Sequence, residues 1–131
     1  MGGIYPLSDI RANTISDTSG NGPINLTGQS AAKAWCNFNG GDATVGTDMI
    51  GVRGSLNISS IVLVSTGSTQ LNYTNNFSDA SYSATSGTNS ATTGFGGSYY
   101  LANKFLVAVR DSNGTPVNAN IVTFMAHGDL A

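Results

Sequence analysis

His127 is the only histidine of the chain, and Asp129 stands two residues after it, on the same side of the backbone if a strand runs through both. An imidazole beside a carboxylate is the usual start of a general base, but it works only with a reacting group held within hydrogen-bond reach. No such third group follows from the sequence, so the pair is expected as a surface contact. All seven acids are Asp, and Asp17, Asp42, Asp48, Asp79 and Asp111 sit in turn contexts, where a carboxylate caps its own backbone. The stretch from Asp42 to Asp48 comes nearest to a calcium loop and lacks its ligand spacing. No glycine-rich loop opens a helix, which removes a phosphate cradle. The single Cys36 excludes an intrachain disulfide. Its place between Ala34 and Phe38 points to a small buried hydrophobe and not a reactive thiol. The sequence therefore predicts no catalytic, cofactor-binding or metal-ligating set, and a protein that is not an enzyme.

Residues that could bind are better represented. Phe95, Tyr99 and Tyr100 lie in and beside a polar stretch over residues 86–98 that reads as a long loop, and loops on rigid scaffolds often carry recognition. They form the candidate surface-recognition loop. Trp35 and Tyr73 also offer flat faces with a polar handle, but their size and their strand contexts assign both to the core.

These groups must be positioned by strands. Gly, Ser, Thr and Asn fill 61 of 131 positions and Glu is absent, a balance that favours turns and short strands over helices. Residues 32–39 alternate, with Ala34, Cys36 and Phe38 on one face and Lys33, Trp35, Asn37 and Asn39 on the other; Asn39-Gly40 then turns the chain. Further strands are expected over 49–54, 56–58 and 82–85. Residues 61–64 are apolar on both faces and should lie between two layers, followed by a hairpin loop over 65–69. Residues 104–110 and 117–127 read as one hairpin around the turn 111–116. Its second strand is apolar on both faces from Ile121 to Ala126, which suits a central strand of a sandwich or a face that meets another subunit and makes Ile121, Val122 and Phe124 the candidate subunit interface. About seven strands without helical period give an all-β fold, an antiparallel β-sandwich or jelly-roll-like domain over residues 31–131. Residues 1–30 carry scattered apolar side chains, among them Ile4, Tyr5, Leu7, Ile10 and Ile15, separated by turn signals. They are expected to form an extended N-terminal docking arm.

Leu, Ile, Val and Phe total only 29 of 131 residues, so one subunit should bury a meagre core and gain from self-association. Five cations, scattered singly at Arg11, Lys33, Arg53, Lys104 and Arg110, give no nucleic-acid footprint. No apolar run approaches a membrane span. The first residues have neither a basic region nor an apolar stretch of the signal-peptide kind, which predicts synthesis and retention in a cytosol.

The strand at Ala32-Lys33-Ala34-Trp35-Cys36-Asn37-Phe38-Asn39-Gly40 also resembles the AAKAW-x-NFNG signature of tail-fibre-like and other virion proteins of tailed bacteriophages, especially phages of aquatic bacteria. The segments that follow that signature are matched here by Asn57-Ile58-Ser59-Ser60-Ile61, by Ser65-Thr66-Gly67-Ser68-Thr69 leading to Tyr73, and by Asn76-Phe77-Ser78-Asp79-Ala80-Ser81-Tyr82. The resemblance covers about Ile10 to Tyr82. It implies a structural component of a phage virion, made in the host cytoplasm: a short tail-fibre or adsorption module acting as a homotrimer, or alternatively a capsid decoration (cement or head-fibre) protein. The implied partners are its own copies, other virion proteins and a host cell-surface glycan or protein.

Overall fold

The computed structural model describes residues 31–44, 46–89 and 95–131, with 95–99 described as backbone only. The proposed arm over residues 1–30 lies outside the described residues. Eight strands follow one another: β1 (Ala34–Phe38), β2 (Val52–Leu56), β3 (Ile58–Ser65), β4 (Ser68–Tyr73), β5 (Ser83–Thr88), β6 (Phe95–Leu101), β7 (Lys104–Val109) and β8 (Val122–His127). They form two four-stranded sheets, β2-β1-β8-β5 and β3-β4-β7-β6, with every pairing antiparallel. This is the expected β-sandwich.

Alternation decides what each sheet buries. In the first sheet Ala34, Cys36 and Phe38 of β1 and Val122, Phe124 and Ala126 of β8 all point inward, each at most 2% exposed. They meet Ile58, Ile61, Leu71, Phe105, Val107 and Val109 from the second sheet in one cluster. Aromatic rings close one side: Phe77 and Tyr82 stack at 4.3 Å, and Tyr73 meets Phe77 edge-on at 4.9 Å. The core of a single chain is thus fuller than the count of large aliphatics suggested, because six aromatic rings and small residues such as Ala34 and Ala126 complete it.

Several expected elements differ. Residues 104–110 and 117–127 are not hairpin partners: β7 lies in the second sheet and β8 in the first. Asp111 Oδ1 accepts from the Asn113 and Thr115 amides and tightens the turn, while Arg110 bridges Pro116. Proline has no N–H to extend that ladder, so the chain leaves and crosses to the other sheet. Residues 61–64 do not lie between layers. β3 is an edge strand in which Ile61 is fully buried and Val64 is 54% exposed, with a register break between Leu63 and Ser65. The following loop has two residues, Thr66-Gly67, since Ser65 pairs with Ser68. The long loop over 86–98 also shrinks: β5 runs to Thr88 and β6 starts at Phe95. The strand expected over 56–58 is broken at Asn57, whose φ of 57° turns the chain from β2 in the first sheet into β3 in the second. The open edge of β3 is covered by the 44–48 loop, through Leu63 N donating to Thr44 O and Ile61 N to Asp48 O.

Candidate functional site

The outward face of the first sheet carries an apolar row across its strands. The registers place Leu56 of β2, Trp35 of β1, Met125 of β8 and Thr85 of β5 side by side. Leu56, Trp35 and Met125 are 44%, 37% and 43% exposed. The neighbouring row reads Gly54, Asn37, Thr123 and Gly87, so its two ends have no side chain and its middle is polar. The Trp35 ring uses one of those gaps: a Cβ on Gly54 would stand 3.1 Å from its Cη2. Glycine at 54 therefore leaves room for the edge of the indole, Cη2 and Cζ3, above the backbone.

A bulge supplies the third component. Asn37 pairs with Gly54 but Phe38 with Val52, which leaves Arg53 as the extra residue of β2. Bulges re-aim side chains in this way. The Arg53 guanidinium reaches the outward face, where Nη1 donates to Asn37 Oδ1 at 3.4 Å. Thr123 Oγ1 donates to Gly87 O at 3.2 Å and keeps its own lone pairs for an incoming donor. None of the four strands contains an Asp, so these strands bring a guanidinium and no carboxylate to this face within a chain of net charge −2.

A shallow cavity of about 230 Å³ lies elsewhere, lined by Phe77, Asp79, Tyr82, Gly128 and Asp129 among others. Its Asp79 carboxylate accepts from the Ser81 amide at 2.6 Å, the turn-capping role the sequence suggested. Asp42 accepts from Asn39 Nδ2, and Asp48 from Thr44 Oγ1 and the Ile50 amide, so these carboxylates also cap turns. Among the described residues no group of three or more His, Cys, Asp or Glu could hold a metal ion. His127 ends β8 opposite Ser83 and is half-buried. Cys36 is 1% exposed, and burial pushes its thiol up to about 12.

The residues singled out from sequence fall in different places. Ile4, Tyr5, Leu7, Ile10 and Ile15 lie outside the described residues. Phe95 and Tyr99 belong to β6 and not to a loop. Tyr100 of the same strand is 39% exposed and packs edge-on against Phe105 at 4.8 Å. Of the candidate interface residues, Val122 and Phe124 are consumed by the chain's own core, because an alternating strand turns its two apolar faces in opposite directions. Ile121 is 37% exposed and faces outward. Tyr73 is core, as its context suggested. Trp35 is not, although alternation had already set it with Lys33, Asn37 and Asn39. Arg53 was missed although Gly51 and Gly54 suggest a bulge or a close backbone approach, because neither glycine says which residue becomes the extra one. Compared with protein-family models, curated proteins and solved structures, the chain finds no match.

Proposed function

We propose that this chain is a structural component of a tailed-bacteriophage virion, a short tail-fibre or adsorption module that acts as a homotrimer. The observation that carries the adsorption reading is the exposed row of Leu56, Trp35 and Met125 on a rigid, acid-free sheet face. A large aromatic left on such a surface is a contact waiting for a partner. The phage assignment is supported by the resemblance over Ile10 to Tyr82. Several residues of the resembling segments (Phe38, Ile58, Ile61, Tyr73, Phe77 and Tyr82) meet in one core, which supports reading those segments as parts of a single fold.

We put the trimer contact at one end of the sandwich. There β1 ends, β2 begins and β8 begins, as the Phe38–Val122 pair and the bond from Asn39 N to Gly51 O show for the backbone. Met49, Ile50 and Ile121, 38%, 54% and 37% exposed, belong to that end. Self-association there leaves the Trp35 face open, and three copies multiply a weak surface contact.

Labelled full-length protein applied to host cells tests the reading, together with sedimentation. Cell binding by a trimer, with Ile121→Asp giving a folded monomer that binds cells much more weakly, is the expected result. Protein that ignores cells and saturates isolated phage heads belongs to the head-decoration class. A stable monomer removes the trimer.

A further inference from the structure

We propose that the outward face of the first sheet binds a carboxylate-bearing saccharide, with Trp35 as the stacking platform, Arg53 as the partner of the carboxylate, and Asn37 and Thr123 as partners of hydroxyls. The proposal rests on the adsorption reading only for the source of the sugar, a bacterial surface polysaccharide. The recognition itself is argued from the face.

A pyranose has an apolar C–H face and a polar rim, and the site offers the same division. The six-membered ring of the indole reaches over Gly54, flanked by Leu56 and Met125 on the adjacent strands. Its negative π face attracts C–H groups. Amide, hydroxyl and guanidinium groups occupy the next row, one strand residue-pair away, about 7 Å along the strands. Four strands about 4.8 Å apart make the row about 14 Å long, room for a short oligosaccharide and not for a single ring. Glycine at 54 and 87 keeps the ends of that row low, with the Trp35 ring over the first and the Thr123 hydroxyl beside the second.

Charge selects an acidic sugar. Arg53 has one hydrogen-bond partner among the described residues, and that bond is long at 3.4 Å. A guanidinium presents five N–H donors in a fork that matches a carboxylate. The four strands supply no Asp to compete for it. A nucleic acid would need clustered cations, and the face has one guanidinium. A protein partner would need a broad apolar centre of about 800 Å² per side, whereas the apolar residues here form a single row bordered by glycine and polar side chains.

The test uses the chain's own reporter, since Trp35 is its only tryptophan. Full-length protein is titrated with tri-galacturonic acid and with its methyl ester, which keeps the rings and removes the charge, while tryptophan emission and binding heat are followed. Saturable binding is expected, about tenfold tighter for the acid, the effect of one charge-assisted bidentate pair. In Arg53→Gln the acid should fall to the affinity of the ester, with ester binding unchanged. In Trp35→Ala the heat of binding should vanish for both, with the melting temperature checked in parallel. Equal affinity of wild type for acid and ester, no saturable binding of either, or an unchanged preference in Arg53→Gln overturns the proposal. So does self-association that Trp35→Ala abolishes, which gives the face to a second copy. Wild-type protein that binds cells and not the trisaccharide removes this site and leaves the adsorption reading standing. Trisaccharide binding by protein that ignores cells does the reverse.

Discussion

The Tyr73 hydroxyl is a buried donor that makes no hydrogen bond of good geometry, its interaction with the Tyr82 hydroxyl falling short of one, in a ring cluster that is otherwise well packed. Leaving such a group unpaired costs roughly 1–3 kcal/mol. Tyr73→Phe keeps the ring and deletes the cost, so it should stabilise the protein by about 1 kcal/mol, a rise of several degrees in melting temperature. A lower melting temperature would show that the hydroxyl has found a partner. Cys36 leads to a prediction about pH. Its thiol is raised from 9.0 to about 12 by burial, and burial also raises Tyr73 and Tyr82. A raised acid keeps its proton in the native state while the unfolded chain loses it, so unfolding releases protons and becomes easier as pH rises. For Cys36 stability should hold below about pH 9 and then fall toward pH 12, by at most about 1.4 kcal/mol per unit, and the two tyrosines add to the fall in the same direction at higher pH. Urea denaturation at successive pH values measures the slope, and Cys36→Ala should soften its onset. The free thiol should also resist alkylation until the protein unfolds.

At the scale of elements, two short connections fix how the sheets are joined. Asn57 holds a left-handed backbone between β2 and β3, and its side chain clamps Asn75 twice: Asn57 Nδ2 donates to Asn75 O at 2.9 Å, and Asn75 N donates to Asn57 Oδ1 at 2.7 Å. Asn57→Ala removes both bonds and strains the backbone, so it should cost about 2 kcal/mol. Asn57→Gly, which accepts the same φ, should recover part of that loss. Gly67, with a φ of 69°, sits where a Cβ would collide with Val109 O and come within 2.7 Å of Val117 N. Gly67→Ala should therefore cost about 3 kcal/mol or more, read as a drop in the urea midpoint, because the obstacles are backbone atoms of β7 and the crossing segment. Neither role was visible in the sequence beyond the presence of residues fit for turns. Period two reports which face a residue takes, and it set Ala34, Cys36 and Phe38 together on the face that is buried. It does not report which strand lies alongside, so 104–110 and 117–127 read as a hairpin when their turn only begins one. For Trp35 the pattern pointed outward and side-chain size pointed inward. The pattern decided, because β1 had a full inward set of Ala34, Cys36 and Phe38 without it.

At the scale of the whole molecule, the interior cluster among the described residues runs from Ala34 to Ala126, with Leu130 packed at its margin. Its two sheets close on each other through aromatic rings. The seven apolar side chains of the 1–30 segment are too dispersed in sequence to form a core of their own. Folding and docking should therefore separate. Deleting residues 1–30 should leave a chain that unfolds cooperatively in urea, with a slope proportional to the surface of a domain of about 100 residues. The same truncation should no longer be found on assembled particles when virions are purified from a complemented infection and probed with antibody. If the truncated chain incorporates at normal occupancy, docking belongs to the β-sandwich and the arm has another task. If it cannot fold, Ile24 and Leu26 supply a strand that the interior requires, and the division at residue 30 is wrong. Lys33, buried at 7% on the threshold of β1, is the place where such dependence would start. A second truncation ending at residue 20 keeps Ile24 and Leu26 and removes Ile4 to Ile15, so it should fold in either case. Its loss from the particle would place docking in those first apolar residues.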